Sequence, residues 1–283
     1  MPIVKLWLVV VLLLSVDALA VGALLLSRRY GPRRGWFRDA QHASGAFTVT
    51  GTIFAVLVGF VFLLAFGSYS AARESSQDEA RAAVSLFHVA ERFPVETRDE
   101  LQTDIVCYSR AVIASEWPAM AAERSSTTVD HWETRLSRDF DAFEPTGQVE
   151  GDALQNWFSG ADLLREARQG RLTEAPRFIP ATIWFLLLVA GLAVVGFALL
   201  LSDPREKLVA QAAMVVALTT AVAASLLIVN FLDRPYGTHQ GSIKPAAMQS
   251  ALAGIRRDLL AHDRSDIAAC DVYAEPRTAP ANG

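Results

Sequence analysis

Cysteine and lysine are scarce in this sequence. It contains two cysteines, Cys107 and Cys270, and only three of its 26 basic residues are lysines. Two cysteines so far apart form no recognised metal-binding or redox motif. The formal net charge of -4 is mild and gives no reason to expect a nucleic-acid partner. The preference for arginine, together with abundant alanine, is typical of a GC-rich bacterial genome.

The motifs of enzyme chemistry are also absent. None of the five histidines stands at a recognised metal-ligand spacing from another histidine, a cysteine or an acid. The sequence has no glycine-rich phosphate loop and no nucleophile elbow. The acids between residues 70 and 177 are most simply a solvated surface. We therefore expect neither a catalytic residue nor a metal or other cofactor, and a protein that is not an enzyme.

Long apolar runs are what the sequence has in abundance. It is 52% hydrophobic and 20% charged, which is too apolar for an ordinary soluble chain and too charged for a wholly intramembrane one. Four runs of about twenty residues or more are each long enough to cross a bilayer as a helix: 3–26, 47–69, 182–201 and 209–232. The first run resembles a signal peptide at Ala18-Leu19-Ala20, but it continues to Leu26 and ends at arginines, as a membrane span does.

These runs predict an all-α protein with four transmembrane helices and a helical soluble domain inserted between the second and third spans. The predicted domains are a first transmembrane hairpin, 1–69, with an arginine-rich linker, 27–46; the soluble domain, 70–178; a second hairpin, 179–233; and a tail, 234–283, with one amphipathic helix and a loose end. Helices are expected within the soluble domain over 96–115, 128–143 and 152–172, and in the tail over 245–262. Pro118 must end or kink the first of these, and Asp152 is the expected N-cap of the third.

The second span continues without proline or turn signal as far as Pro94. As one helix, residues 47–93 extend about 70 Å, roughly twice the hydrocarbon thickness of a bilayer. One helix is therefore expected to join the membrane to the soluble domain.

The charge distribution predicts the orientation. The linker carries five arginines against one acid, whereas residues 70–177 carry 20 acids against 12 arginines. The positive-inside rule therefore places the linker in the cytoplasm of a bacterial cell. The helical domain and both termini are expected on the extracytoplasmic side of the membrane.

One face of the second span recurs at alternating steps of four and three residues. Its inner part is small or polar, its outer part is aromatic, and it ends in a guanidinium: Thr48, Thr52, Ala55, Gly59, Phe62, Phe66, Tyr69 and Arg73. The pattern favours a packing seam against a neighbouring helix. The alternative is a pore lining in an oligomer, with a hydrophobic constriction of phenylalanines. The opposite face, with Phe54, Leu57, Val61 and Leu64, is expected to contact lipid.

Asp17 lies in the middle of the first span, where a carboxylate needs a partner. Hydroxyls of other spans are the candidates: Thr48, Thr50, Thr52, Thr219, Thr220 and Ser225. A structural hydrogen bond is the favoured interpretation, and a proton or ion role is the alternative. Cys107 and Cys270 lie on the same side of the membrane in any four-span topology. The sequence favours unpaired thiols and leaves open a disulfide that ties the tail to the second helix of the soluble domain.

Several short strings occur in order over nearly the whole chain. They are Gly59-Phe60-Val61 with Tyr69, Glu79-Ala80, Tyr108-Ser-Arg-Ala-Val112-Ile113 followed by Glu116-Trp117-Pro118, Arg168-Gln-Gly-Arg171-Leu172 before Pro180 and Trp184, and Leu232-Asp233-Arg234-Pro235-Tyr236. Glu-Trp-Pro and Asp-Arg-Pro plus an aromatic residue are fairly specific in combination. On these strings the chain resembles the bestrophin-like family of bacterial membrane proteins.

The motifs also have a physical interpretation. We expect Glu116 to pair with Arg168 or Arg171 and so lock the helices of the soluble domain together. Asp233-Arg234-Pro235 ends the fourth span at the membrane interface, where Arg234 can snorkel or pair with an acid.

The resemblance implies distant kinship with the bestrophins, pentameric anion channels in which the second helix lines the pore. It favours the pore interpretation of Phe62 and Phe66. It also implies a large helical part in the cytoplasm, whereas the arginine distribution places that part outside. For orientation we follow the charge pattern, because it is read directly from this chain.

Two functional hypotheses remain. The first is an oligomeric, lipid-embedded channel that conducts anions. The alternative is a non-conducting, membrane-anchored scaffold or sensor whose helical domain binds a partner. The oligomeric state in mild detergent discriminates between them.

Overall fold

The computed structural model describes residues 2–32, 37, 40–138, 145, 147–202, 205–239, 241–264 and 270–271. Within these residues the fold is all-helical and contains no β-strand. A π-helical segment, Val112–Glu116, lies between α3 and α4. The α-helices are α1 (Pro2–Tyr30), α2 (Ala40–Ala90), α3 (Val95–Ala111), α4 (Trp117–Met120), α5 (Thr127–Arg138), α6 (Gln148–Thr173), α7 (Ala181–Leu200), α8 (Leu208–Leu232) and α9 (Ala246–Ala261).

Four of these helices, α1, α2, α7 and α8, are long and apolar enough to cross a membrane. They contain the four apolar runs of the sequence, except that α7 ends one residue before the end of its run. The α2 helix has 51 residues, which corresponds to about 76 Å. It passes through Gly67 and Ser68 without interruption and ends four residues before Pro94, so the predicted long helix is present.

The chain divides into two compact units. The first comprises Met1–Ser68, Arg177–Asp233 and His239–Gly241, and the second comprises Tyr69–Pro176, Arg234–Thr238 and Ser242–Gly283. In the first unit α1 packs on α7 and α8, and α7 packs on α8. Small apolar cores hold this unit together; one of them joins Ala20 and Leu24 of α1 to Val215 of α8.

The second unit has one larger core. Its α3 helix packs on α5 and α9, and α5 packs on α6. Nearly all of α3 from Leu101 onward is buried, and Trp132 and Trp157 are among the largest fully buried side chains. Of the helices that make this core, α3, α6 and α9 were predicted from their apolar spacing.

One local prediction is wrong, and of the two alternatives predicted for Pro118, an end or a kink in the helix, the structure excludes the first. Asp152 does not cap α6, because the helix begins at Gln148, directly after the extended Gly147. Pro118 does not end its helix. Pro118 has no N–H to donate to the Ala114 carbonyl. Just before it the helix widens into the π-helical segment, in which the Trp117 N–H donates to the Val112 carbonyl. The helix then runs on to Met120.

Candidate functional site

The candidate site is a stripe on the side of α2. Within the first unit it consists of Thr48, Thr52, Ala55, Gly59, Phe62 and Phe66, hereafter the α2 stripe. All six residues are exposed on the chain, Phe62 to 38% and Phe66 to 52%. Among the described residues, no helix of the same unit covers them. Within the described part of the chain, therefore, no helix forms the packing seam that the sequence favoured.

The side of α2 that was expected to face lipid is instead mostly packed. Phe54 is 6% exposed and lies in a core with Val194 of α7 and Val222 of α8, and Val61 is 8% exposed. Leu57 is half-buried, and only Leu64 is well exposed. The lipid-facing interpretation is wrong for Phe54 and Val61, because apolar residues suit lipid and a neighbouring helix equally well.

A third side of α2 is exposed and entirely apolar. By helical spacing it lies about a third of a turn from both the packed side and the α2 stripe. It consists of Val49, Ile53, Val56, Phe60 and Leu63, each more than half exposed. Two exposed sides of one helix thus differ in chemistry, since one is uniformly apolar and the other carries hydroxyls, small residues and two stacked rings.

The threonine hydroxyls at the polar end of the α2 stripe donate to backbone carbonyls of α2 itself. Thr48 donates to the Ser44 carbonyl at 3.0 Å, and Thr52 donates to the Thr48 carbonyl at 2.8 Å. Further along, the rings of Phe62 and Phe66 are stacked with centroids 6.3 Å apart. The stripe therefore passes from a weakly polar part to an aromatic part along one helix.

Tyr69 and Arg73 continue the same spacing into the second unit. There Tyr69 is half-buried against the core, and Arg73 is exposed.

Asp17 has one of the expected partners. Thr220 of α8 donates to its Oδ2 at 2.9 Å, whereas its Oδ1 is buried without a hydrogen bond. Asp17 lies on α1 and is not part of the α2 stripe. The geometry is that of a hydrogen bond between two packed helices.

Asp233 of the Asp-Arg-Pro string joins the end of α8 to the start of α7. Its Oδ1 accepts from the Ile179 backbone N–H at 2.8 Å, and its Oδ2 accepts from Trp184 Nε1 at 3.1 Å. The next two residues belong to the second unit, where Arg234 is exposed and the Pro235 carbonyl accepts from the Ile243 N–H at 2.7 Å. In the first unit, the described contacts of Asp233 are structural.

A cluster of buried charges lies inside the second unit. Arg171 binds Glu79 through Nε at 2.5 Å and Nη2 at 2.8 Å, and it also contacts Glu116. Arg168 binds Glu116 at 2.5 Å and reaches Asp130 at 2.6 Å and Glu133 of α5. Glu116 thus contacts both arginines that the sequence suggested as alternatives. We refer to Glu79, Glu116, Arg168 and Arg171 as the buried ion-pair cluster.

The electrostatics of the cluster keep Glu116, Arg168 and Arg171 charged. Burial alone would raise the pKa of Glu116, but the guanidinium groups of Arg171 and Arg168 outweigh it, and the pKa is lowered. Burial would likewise lower the pKa of each arginine, and the carboxylates raise it instead. Tyr108 donates to Glu79 at 2.6 Å, and burial together with the charge of Glu79 raises its pKa well above the usual range.

The two family strings meet in the second unit. Trp117 and Tyr236 pack edge to face with ring centroids 5.5 Å apart, and Trp117 Nε1 donates to the Ile243 carbonyl. Tyr236 donates to the Ala72 carbonyl of α2 at 2.7 Å. The Arg171 guanidinium lies 5.1 Å from the centre of the Trp117 ring. Pro118, the last residue of the Glu-Trp-Pro string, is exposed. The contacts of Trp117 and Tyr236 show that both strings contribute to the packing of this unit.

Cys107 and Cys270 form a disulfide, contrary to the sequence-based preference for unpaired thiols. Both residues are fully buried. Arg110, one helical turn after Cys107, donates to the carbonyls of Cys270 at 3.2 Å and Asp271 at 3.3 Å. The disulfide therefore fixes the C-terminal tail to α3. No group of His, Cys, Asp and Glu within the described part of the chain is arranged to hold a metal ion.

Comparison with known proteins gives one consistent family. The model of the bestrophin-like domain matches residues 15–247. A crystal structure of a bacterial bestrophin homolog from Klebsiella pneumoniae, carrying one substitution, has a TM-score of 0.62 and 14% identity, covering 92% of this chain and 99% of that chain. The same homolog, phased with zinc, has a TM-score of 0.61 and 14% identity, covering 92% and 98%. No curated protein sequence matches.

Proposed function

Because the chain belongs to the bestrophin-like family, we propose that it is a multi-pass membrane protein that assembles into an oligomeric ion channel. The observation that carries the proposal is the exposure of the α2 stripe. The stripe holds hydroxyls, small residues and stacked phenylalanines, yet no helix of its own unit covers it. A side of this chemistry suits a water-filled axis surrounded by copies of α2.

The three sides of α2 then have distinct roles. Phe54 and Val61 anchor the helix on α7 and α8, the α2 stripe lines the axis, and the uniformly apolar side contacts lipid or a neighbouring copy. Thr48 and Thr52 mark the wet part of the pore. Phe62 and Phe66 form the constriction, which closes by excluding water.

We propose anions as the conducted ions, on the resemblance to the bestrophins. The α2 stripe is consistent with this, because it contains no acid. Asp17 is the intramembrane carboxylate, and it is bonded to Thr220 between α1 and α8 instead. Arg73 adds an exposed positive charge further along the same helix.

We further propose that the helical second unit lies on the extracytoplasmic side. Two independent features support this orientation. The arginine-rich linker marks the opposite side as cytoplasmic. The disulfide between Cys107 and Cys270 lies in the second unit, and disulfides persist in oxidising compartments.

The channel is tested by reconstituting the purified protein in liposomes loaded with chloride. We expect a ring-shaped oligomer in mild detergent and chloride efflux when a gradient is applied. A monomer or dimer without ion flux would overturn the proposal in favour of a non-conducting scaffold.

The constriction is tested with matched phenylalanine variants. Phe62→Ala and Phe66→Ala should change the open probability or raise the conductance, because each removes a ring from the axis. Phe60→Ala on the apolar side of the same helix is the control and should leave the conductance unchanged. Equal effects of all three variants would show that the α2 stripe is not the constriction.

Orientation is tested with engineered thiols, since the native cysteines are paired. A membrane-impermeant maleimide applied to intact cells should label Ser159→Cys on exposed α6, and should not label Gln41→Cys at the start of α2. The reverse pattern would place the second unit in the cytoplasm.

A further inference from the structure

A groove of about 670 Å³ lies in the first unit, at the end where α7 finishes and α8 begins. Along α8 it is lined from Ala210 to Leu218, and its remaining walls are Phe47 of α2 and the end of α7 around Leu201. Small side chains such as Ala217 leave the space, and the larger residues around them enclose it. Three of the four long apolar helices therefore contribute to one groove.

The groove is polar at one end and apolar at the other. Glu206 and Gln211 line it at the start of α8, and Met214 and Leu218 line it further along the same helix. From Gln211 to Leu218 the helix rises about 10 Å. One leaflet of a bilayer has about 15 Å of hydrocarbon, so the apolar part of the groove matches much of the depth of one leaflet. Met214 is 73% exposed, and the groove is thus open on this side of α8.

Arg28 of α1 organises the polar end. Its Nη1 donates to Gln211 Oε1 at 3.1 Å, and its Nη2 donates to the Glu206 carbonyl at 2.8 Å. Both of these acceptor residues line the groove. The half-buried guanidinium of Arg28 therefore lies beside the polar end and joins the end of α1 to the start of α8.

The charge at this end of the first unit is positive. Arg29 and Lys207 are exposed, one in the last turn of α1 and the other directly before α8. The two segments that connect the long helices here, 27–46 and 202–207, carry seven arginines and lysines against three acids. Basic pockets between transmembrane helices bind the headgroups of anionic lipids. The groove thus offers positive charge at its mouth and an apolar surface within.

We propose that this groove binds one anionic phospholipid. An acyl chain lies along α8 against Met214, Ala217 and Leu218, and the phosphate lies at the polar end, near Arg28 and Lys207. The excess of positive charge favours an anionic headgroup over a zwitterionic one. The inference rests on the proposed membrane-spanning role of this unit and gives it a lipid ligand that bridges α1, α2, α7 and α8.

A lipid titration of the full-length protein tests the site. The protein is purified in mild detergent, freed of lipid, and titrated with phosphatidylglycerol or with phosphatidylcholine of the same chain length. Native mass spectrometry counts the lipids bound per chain. We expect one phosphatidylglycerol per chain, bound about tenfold more tightly than phosphatidylcholine, because the basic side chains attract its net charge. Equal affinities for the two lipids would overturn the proposal.

The apolar part of the groove is tested by filling it. Ala217→Phe places a ring where the acyl chain is proposed to lie, and it should weaken the binding of both lipids by about tenfold or more. Ala213→Phe is the matched control, because Ala213 is also exposed on α8 and lies outside the groove lining. Equal affinities of the two variants would show that the lipid binds elsewhere.

The headgroup contact is tested by a substitution on the surface that does not alter the packing of the bundle. Lys207→Gln should weaken the binding of phosphatidylglycerol by about fivefold and leave that of phosphatidylcholine unchanged. Lys244→Gln removes the same charge from an exposed position in the second unit, and it should change neither affinity. Unchanged binding of phosphatidylglycerol to Lys207→Gln would contradict the placement of the phosphate.

Lipid binding and ion conduction fail separately. A ring that conducts chloride and binds no phosphatidylglycerol would refute only the lipid site. A protein that binds the lipid and does not conduct would refute only the channel. If the parent ring bound no lipid and Ala217→Phe prevented its assembly, a neighbouring copy would occupy the groove, and the lipid proposal would be overturned.

Discussion

Arg171 donates two hydrogen bonds to Glu79, at 2.5 and 2.8 Å, and both side chains are fully buried. The pair joins α6 to the part of α2 that lies in the second unit. Removing water from two charges is costly, and only close pairing offsets that cost. The contribution of the pair to the free energy of unfolding is therefore clearest when one partner is removed.

Arg171→Met should lower the free energy of unfolding by about 3–5 kcal/mol, because it leaves the buried carboxylates of Glu79 and Glu116 without their shared cation. Thermal unfolding in detergent measures the change. Arg165→Met on the same helix is the control. Arg165 is about half exposed, and its loss should cost less than about 1 kcal/mol. Similar losses in the two variants would contradict the importance of the buried pair.

Stability should depend on pH through Glu116. Its pKa in the folded protein lies below its ordinary value of 4.5, so its contribution is fully present above pH 4.5 and is lost as the pH falls through the folded pKa. We expect the melting temperature to fall on acidification below about 4.5. Glu116→Gln, which cannot titrate, should show a shallower decline. Parallel curves for the two proteins would show that Glu116 is not responsible.

The disulfide should contribute to stability. Replacing Cys107 and Cys270 together by serine should lower the free energy of unfolding by about 2–5 kcal/mol, because a cross-link between residues 163 positions apart restricts the unfolded chain. Chemical unfolding with and without the substitutions measures this. Protein taken from membranes without reductant should show no free thiol after denaturation. Two titratable thiols would contradict both the bond and the proposed orientation.

The hydrogen bond between Thr220 and Asp17 should stabilise the packing of α1 on α8. Thr220→Val should cost about 1 kcal/mol in detergent, since it removes the donor to a partly buried carboxylate. Thr219→Val is the matched control, because within the described residues the Thr219 hydroxyl bonds only to the Val215 carbonyl of its own helix. If Asp17→Asn abolished ion flux while leaving stability intact, the structural role would be wrong.

The long elements could be predicted from the sequence because their signals are local. The apolar runs of α1, α2, α7 and α8 are longer than any soluble helix needs. Pro94 is a clear stop for α2. The position of Glu116 beside Trp117, together with the arginines near residue 170, was also enough to suggest the contact of Glu116 with Arg168 or Arg171.

What could not be predicted depends on contacts distant in sequence. Phe54 and Phe60 are the same residue type on the same helix, yet one is buried and the other is 65% exposed. Nothing within the helix distinguishes them, since the difference comes from Val194 and Val222 more than 130 positions away. Glu79 and Tyr108 were predicted only as members of family strings, whereas in the structure Glu79 accepts hydrogen bonds from both Tyr108 and Arg171.

The buried ion-pair cluster also bears on how the second unit can change over evolution. Its carboxylates come from α2 and the π-helical segment, whereas both guanidinium groups come from α6. Deleting or exchanging any one of these helices would leave a charge on another helix buried without its ion-pair partner. The unit is therefore expected to be inherited and to fold as a whole, and fragments that lack α6 should fail to become compact at all.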